Sequence, residues 1–311
     1  MGVSLYGMNG TVIRSTGSWS TVMLDDGRIV ECRLRGQYRI KGLRTTSPIS
    51  VGDKVNVKLD ADGRSGVIDK IHERRNYIIR KSVNLSKEAH IVASNVDQTV
   101  IIATVHQPRT SFGFIDRFLC TSEAYNIPAS VIINKIDLNQ AKKSADLQKA
   151  YIECYESIGY PVFSVSALDG TGIDQLKDWM KDKVTLVAGH SGVGKSTLIN
   201  ALIPDLELKT AEISEVHGKG THTTTFAEMF PLPNGGYIID TPGIKEFGMI
   251  DMDSSEVSHY FPEIFKLSSD CKFNNCIHQN EPGCAVQVGV EQGTIPKSRY
   301  SSYISILESV K

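Results

Sequence analysis

The sequence predicts an α/β fold: a parallel-sheet core, preceded by a small β-barrel and followed by a helical, Cys-rich module. Three features predict it. Apolar strand runs alternate with helical patterns across the middle of the chain, which implies parallel strands joined by crossovers. Short β-branched runs, punctuated by Asp26-Gly27, Gly52-Asp53 and Asp62-Gly63, fill roughly the first 70 residues. Three cysteines and a histidine cluster between Cys271 and Cys284.

Bulk properties narrow the class. At 311 residues, 41% hydrophobic and 22% charged, the chain can hold two or three domains with a sizeable core. A net charge of −1 excludes a polycation held to nucleic acid by bulk charge. No apolar run approaches the roughly 18–20 residues of a membrane span, and the N-terminus lacks the basic-then-apolar pattern of a signal peptide. A cytoplasmic protein with no membrane attachment is expected, and there the six cysteines are reduced.

Residues 1–71 read as an OB-type barrel, with strand propensity at Thr11–Arg14, Ser20–Leu24, Arg28–Cys32 and Lys54–Leu59. Eleven lysines and arginines stand against seven acids here, and Arg33, Arg35, Arg39, Lys41 and Arg44 lie on or beside one loop. That distribution suits an RNA-binding face, and it suits a solvated charged face equally well. A connector follows over residues 72–94.

The core begins with a strand near Thr99–Ala103 and an amphipathic helix from Phe114 to Tyr125, with Ile115, Phe118 and Leu119 on one face. The buried strand Ala129–Ile133 ends in Asn134-Lys135-Ile136-Asp137. After a helix over 141–157, the strand Pro161–Val165 ends in Ser166-Ala167-Leu168. Guanine presents N1–H and its 2-amino group as adjacent donors, and one ionised carboxylate accepts from both. Adenine has no such pair, so Asp137 selects GTP over ATP. Asn134 fixes the loop and touches the base, the Lys135 stem lies along the purine, and Ser166 and Ala167 complete the base site.

The apolar run Val184–Ala188 then leads into Gly189-His190-Ser191-Gly192-Val193-Gly194-Lys195-Ser196, with a helical pattern from Thr197 to Leu202. Strand, glycine-rich loop and helix form the context in which this spacing means a P-loop. Backbone N–H groups of Gly189, Ser191, Gly192, Val193 and Gly194 curl around phosphate, and the helix adds its positive end. Lys195 reaches the β- and γ-phosphates, Ser196 places its hydroxyl on Mg²⁺, and Thr197 follows at the helix start. His190 reads as a variable position with no assigned role.

Gly218-Lys219-Gly220-Thr221-His222-Thr223-Thr224-Thr225 is a glycine-hinged, threonine-rich segment of the kind that orders when a threonine reaches Mg²⁺. Thr224 is favoured over Thr223. A hairpin around Pro233-Asn234-Gly235-Gly236 leads to Asp240-Thr241-Pro242-Gly243, where Asp240 holds Mg²⁺ and the Gly243 N–H senses the γ-phosphate.

These are the motifs of a Ras-like GTPase in cyclically shifted order: the guanine-reading pair precedes the P-loop and both switches. Joining the old termini and opening a loop preserves such a fold. It also leaves a new C-terminus after the second switch, to which another domain can attach. Cys271, Cys276, His278 and Cys284 lie there, three thiolates and one imidazole that suit a closed, structural Zn²⁺ site. The closing helix carries Tyr300, Tyr303, Ile304 and Leu307 at core-facing spacing, most simply as packing residues.

Barrel, permuted GTPase core and Cys-rich module together closely resemble the RsgA (YjeQ/YloQ) family of ribosome small-subunit-dependent GTPases, over essentially the whole chain. The expected domains are 1–71, an RNA-binding barrel; 72–250, the GTPase with its connector; and 251–311, the zinc-binding helical domain. The resemblance implies binding to the 30S subunit late in assembly, with barrel and zinc module on 16S rRNA; separately, a monomer is expected, since nothing in the sequence suggests a coiled coil or a repeat. It also implies weak GTP hydrolysis to GDP that the subunit stimulates.

One departure from Ras-like enzymes bears on mechanism. Ile244 stands where a water-orienting Gln usually follows the second switch motif. An apolar side chain cannot orient water. His222 is the candidate group, and the resemblance supports a catalytic histidine in this motif. The alternative function is a guanine-nucleotide-sensing RNA-binding protein with little turnover.

Overall fold

The computed structural model describes residues 7–35, 48–81, 89–206, 208, 227–241 and 252–310. The chain folds into two compact units, one of residues 1–98, 177–188 and 211–248 and a second of 99–176, 189–210 and 249–311.

The first unit holds the expected barrel. Strands β1 (Met8–Ser15), β2 (Ser20–Leu24) and β3 (Ile29–Leu34) form an antiparallel meander. β4 (Lys54–Leu59) pairs with β5 (Ser65–Ile71), β5 runs parallel to β3, and β4 closes the barrel against β1. The strands alternate, as half-buried strands must: Val30 and Cys32 point inward on β3 while Ile29, Glu31 and Arg33 face out. Val12, Val22, Val55, Val57 and Ile68 complete an interior without exposed atoms. A bulge between Val12 and Arg14 bends β1, so that Arg14 pairs with Glu228 of β12 (Glu228–Pro231). β13 (Tyr237–Asp240) continues this sheet antiparallel to β12, and β11 (Val184–Ala188) lies parallel to β13.

Residues 72–94 hold more structure than a connector. β6 (Tyr77–Lys81) and β7 (Ala89–Ser94) form an antiparallel hairpin, with Ile78, Ile91 and Ala93 buried. Its end is fastened to the barrel by the fully buried Asp53, which accepts from Arg74 at 2.6 and 2.7 Å, from the Ser94 hydroxyl at 2.6 Å and from the Ser50 N–H at 2.9 Å. A buried carboxylate is tolerated only when satisfied in this way. Gly52 beside it has φ +92°, and a Cβ there would lie 2.0 Å from the Ser94 carbonyl oxygen. Only glycine allows that approach.

The second unit carries the parallel strands β8 (Gln98–Thr104), β9 (Ala129–Asn134) and β10 (Val162–Ser164), in the order β10-β9-β8. β8 and β9 are buried at every position, the pattern of strands covered on both faces. Helix α1 (Phe112–Ala124) buries Ile115, Phe118 and Leu119, the face its periodicity predicts. α2 (Lys142–Glu156) follows β9, and α3 (Ile173–Met180), which the sequence pattern did not signal, follows Ser166-Ala167-Leu168. α4 (Lys195–Leu202) starts at the P-loop lysine. Past residue 251, α5 (Pro262–Ser268), α6 (Ala285–Glu291) and α7 (Lys297–Ser309) pack around Phe261, Ile264, Val286, Tyr303 and Leu307, together with Cys120 of α1. Among the described residues no helix is long and apolar enough to cross a membrane.

Candidate functional site

β9 delivers Asn134 to its C-terminal end, where the side chain is 1% exposed. A buried amide must spend its donors and acceptor, and this one ties two loops together. Its Nδ2 donates to the Val193 carbonyl at 2.9 Å, and its Oδ1 accepts from the Ala167 N–H at 3.1 Å. Asn134 therefore holds the P-loop and the Ser166-Ala167 loop in one arrangement. Gly194, at φ +87°, makes this possible, because a Cβ there would stand 2.6 Å from Asn134 Nδ2. The glycine at this position thus serves the close approach of the neighbouring Asn134.

Lys135 adopts the left-handed conformation (φ 61°, ψ 38°). Its ammonium donates to the carbonyls of Gln107 at 2.6 Å and Gly192 at 2.8 Å, which ties the side chain to both of those loops. Burial holds its pKa below the usual lysine value. Asp137 is half-buried, and its Oδ1 accepts from the Ser166 hydroxyl at 2.8 Å. A carboxylate offers about four lone-pair sites, so one hydroxyl leaves capacity for the paired donors of a base edge. The structure thus brings Asn134, Lys135, Asp137, Ser166 and Ala167 to the loop of Gly189, Ser191, Gly192, Val193 and Gly194. Lys195, Ser196 and Thr197 are half-buried on the first turn of α4.

Asp240 lies in the other unit, at the end of β13 and 6% exposed, in register with Val187. The Thr241 hydroxyl donates to the Val187 carbonyl at 3.2 Å, which fixes the end of β13 against β11. His222, Thr224 and Gly243 lie outside the described residues, as do Ile244, Arg39, Lys41 and Arg44.

Sequence reasoning missed the loop over residues 105–111. Gln107 accepts from Lys135, and the Thr110 hydroxyl sits 2.7 Å from His190 Nε2. His190, given no role by pattern, also meets the Phe114 ring edge-on at 5.3 Å. No motif marks these contacts, because they join segments 28 and 80 residues apart.

The Cys-rich cluster is compact. The ligand atoms of Cys271, Cys276, His278 and Cys284 all lie within 4.8 Å of one another. Cys271 Sγ is 4.0 Å from Cys284 Sγ, and His278 Nδ1 is 3.6 and 3.5 Å from those sulfurs. A tetrahedral Zn²⁺ with Zn–S about 2.3 Å and Zn–N about 2.0 Å sets S···S near 3.8 Å and S···N near 3.5 Å. The donor set fits that ion. Tyr300 and Tyr303, expected as packing residues, also donate their hydroxyls to the carbonyls of His278 at 2.6 Å and Ile277 at 2.8 Å. They fix the loop that carries these four side chains, as second-layer groups would around a bound ion.

The sequence profile of the RsgA GTPase matches residues 71–250, and that of the RsgA N-terminal domain matches residues 9–68. The chain belongs to the RsgA GTPase family. It is 55% identical over 301 residues to the small ribosomal subunit biogenesis GTPase RsgA of Bacteroides fragilis, spanning 97% of this chain and 96% of that one. It is 54% identical over 304 residues to the protein of the same name from Flavobacterium johnsoniae, spanning 97% and 93%. YjeQ from Thermotoga maritima superposes with a TM-score of 0.80 at 33% identity, covering 98% of both chains. YloQ, described as a circularly permuted GTPase, gives 0.75 at 31% identity, covering 98% of this chain and 96% of that one. The shifted motif order is therefore a property of the family fold and not a chance arrangement.

Proposed function

We propose that this chain is a GTP hydrolase of small ribosomal subunit biogenesis, which binds the 30S particle late in its assembly and is stimulated by it. One observation carries the nucleotide half of the proposal: Asn134 and Lys135 bond directly to the P-loop carbonyls of Val193 and Gly192. That contact supports reading the two segments as the base and phosphate sides of one nucleotide site. The biogenesis half rests on relatives of that name at 50–55% identity over nearly the full length.

In this reading Asp137 accepts from guanine N1–H and its amino group, Asn134, Ser166 and Ala167 hold the base loop, and the Lys135 stem covers the purine. The amides of 189–194 and Lys195 hold the phosphates. Ser196, Thr224 and Asp240 would hold Mg²⁺, which would supply charge neutralisation on the phosphate oxygens. His222 orients the attacking water, and Gly243 reports the γ-phosphate. Water adds to the γ-phosphorus, the bond to the β-bridging oxygen breaks, and GDP and phosphate leave. Residues 1–71 and 251–311 form RNA-facing modules on 16S rRNA, the second built on one structural Zn²⁺, with 72–250 between them. The protein acts as a cytoplasmic monomer.

Steady-state turnover tests the enzymatic claim. Many GTP hydrolysed per chain, falling steeply in His222→Ala with GDP affinity retained, is the expected result. Tight binding without turnover would instead leave a guanine-nucleotide sensor.

A further inference from the structure

An unbroken run of contacts joins the P-loop to the Cys-rich module inside the second unit. His190 Nδ1 faces the Ser191 carbonyl at 3.1 Å, and its Nε2 lies 2.7 Å from the Thr110 hydroxyl. Thr110 is itself held: its hydroxyl oxygen accepts from the Thr104 N–H at 3.0 Å, and its carbonyl accepts from the Tyr151 hydroxyl. Phe112 stacks on Tyr151 at 4.2 Å. The first turn of α1 is thus set against the back of the P-loop.

One turn later, Asp116 accepts from Tyr155 at 3.0 Å and from Arg299 Nη1 at 2.9 Å. Arg299, on α7, also donates through Nε to Glu263 at 2.8 Å, and its guanidinium lies 4.4 Å from the Phe261 ring centroid. The Arg299 and Asp116 side chains are both 0% exposed. The next residue on α7 is Tyr300, whose hydroxyl holds the His278 carbonyl.

A buried ion pair of this kind contributes little net stability, because desolvation offsets its attraction; an apolar set of similar volume is often as stable. Its fork geometry instead specifies one register. We propose that Arg299 is a positioning residue for the nucleotide site: it fixes α7 against α1, and so sets Thr110 against His190 of the P-loop. The state of the Cys-rich module and the affinity of the P-loop are then coupled, in both directions. This rests on the nucleotide-site reading above.

The test is a double-mutant cycle on the full-length, metal-loaded protein, with the dissociation constant of GDP–Mg²⁺ as readout. Arg299→Met/Asp116→Leu/Glu263→Gln removes the charges together, and His190→Ala cuts the other end. The expected result is a folded triple variant whose thermal midpoint is not lowered, with GDP affinity weakened roughly two- to thirtyfold. His190→Ala gives a similar loss, and the combination is no worse than either alone. Losses that multiply, or a triple variant binding GDP like the wild type, overturn the proposal. If the triple variant does not fold, Arg299→Lys, which keeps the charge and loses the fork, replaces it in the same cycle. Failure of the unmutated protein to bind GDP sinks the nucleotide reading instead, so the two failures are distinct.

Discussion

Asp137→Asn is expected to abolish the preference for GTP over ATP while leaving the fold intact. The carboxylate sits at the loop surface, held by the Ser166 hydroxyl at 2.8 Å, so the isosteric amide meets no new clash. What changes is chemistry. An amide has a single acceptor oxygen and an NH₂ that faces guanine's donors, so two charge-assisted hydrogen bonds become one neutral bond and one donor–donor clash. At about 1.5–3 kcal/mol per bond to a charged group, GTP affinity should fall by roughly a hundredfold or more. ATP affinity, low at the outset, should barely move. Xanthosine nucleotides carry a C2 carbonyl where guanine has its amine and suit the amide, so they should bind the variant better than GTP does. Competition binding with the three nucleotide classes measures this; an unchanged GTP preference would remove Asp137 from the base site.

Cys276→Ser should have the largest structural effect. Structural zinc sites contribute apparent binding energies of about 10–16 kcal/mol at neutral pH, and loss of one thiolate forfeits much of it. Tyr300 and Tyr303 tie the ligand loop to α7, and α7 packs on Phe261, Ile264 and Val286, so loop collapse spreads through the C-terminal core. The wild type should carry one zinc per chain by atomic absorption. The variant should carry none, with residues 252–310 open to limited proteolysis. Full zinc content in Cys276→Ser would contradict the ligand set.

Much of this was legible in the sequence because the motifs obey local rules. Gly194-Lys195-Ser196 after a strand, Asn134–Asp137 at another strand end, and four metal donors within fourteen residues each announce their chemistry by spacing. The barrel strands showed in their alternation, and the Asp26-Gly27 and Asp62-Gly63 turns in their composition. Non-local contacts left no such trace. The buried Asp116–Arg299 pair spans 183 residues, and nothing around Arg299 in the sequence separates it from a solvated arginine on an amphipathic helix. The hairpin Tyr77–Lys81/Ala89–Ser94 was hidden by its polar flanks, and His190 by sitting at a motif position that tolerates many side chains. Chemistry declared by spacing could be read; chemistry created by packing required the fold.

GTP turnover measured with and without purified small ribosomal subunits, using large subunits as the control, tests the central claim most directly. The expected result is slow basal hydrolysis that small subunits alone accelerate strongly, since Ile244 cannot orient water and a partner completes the site. Equal rates with no subunit, small subunits and large subunits would contradict it.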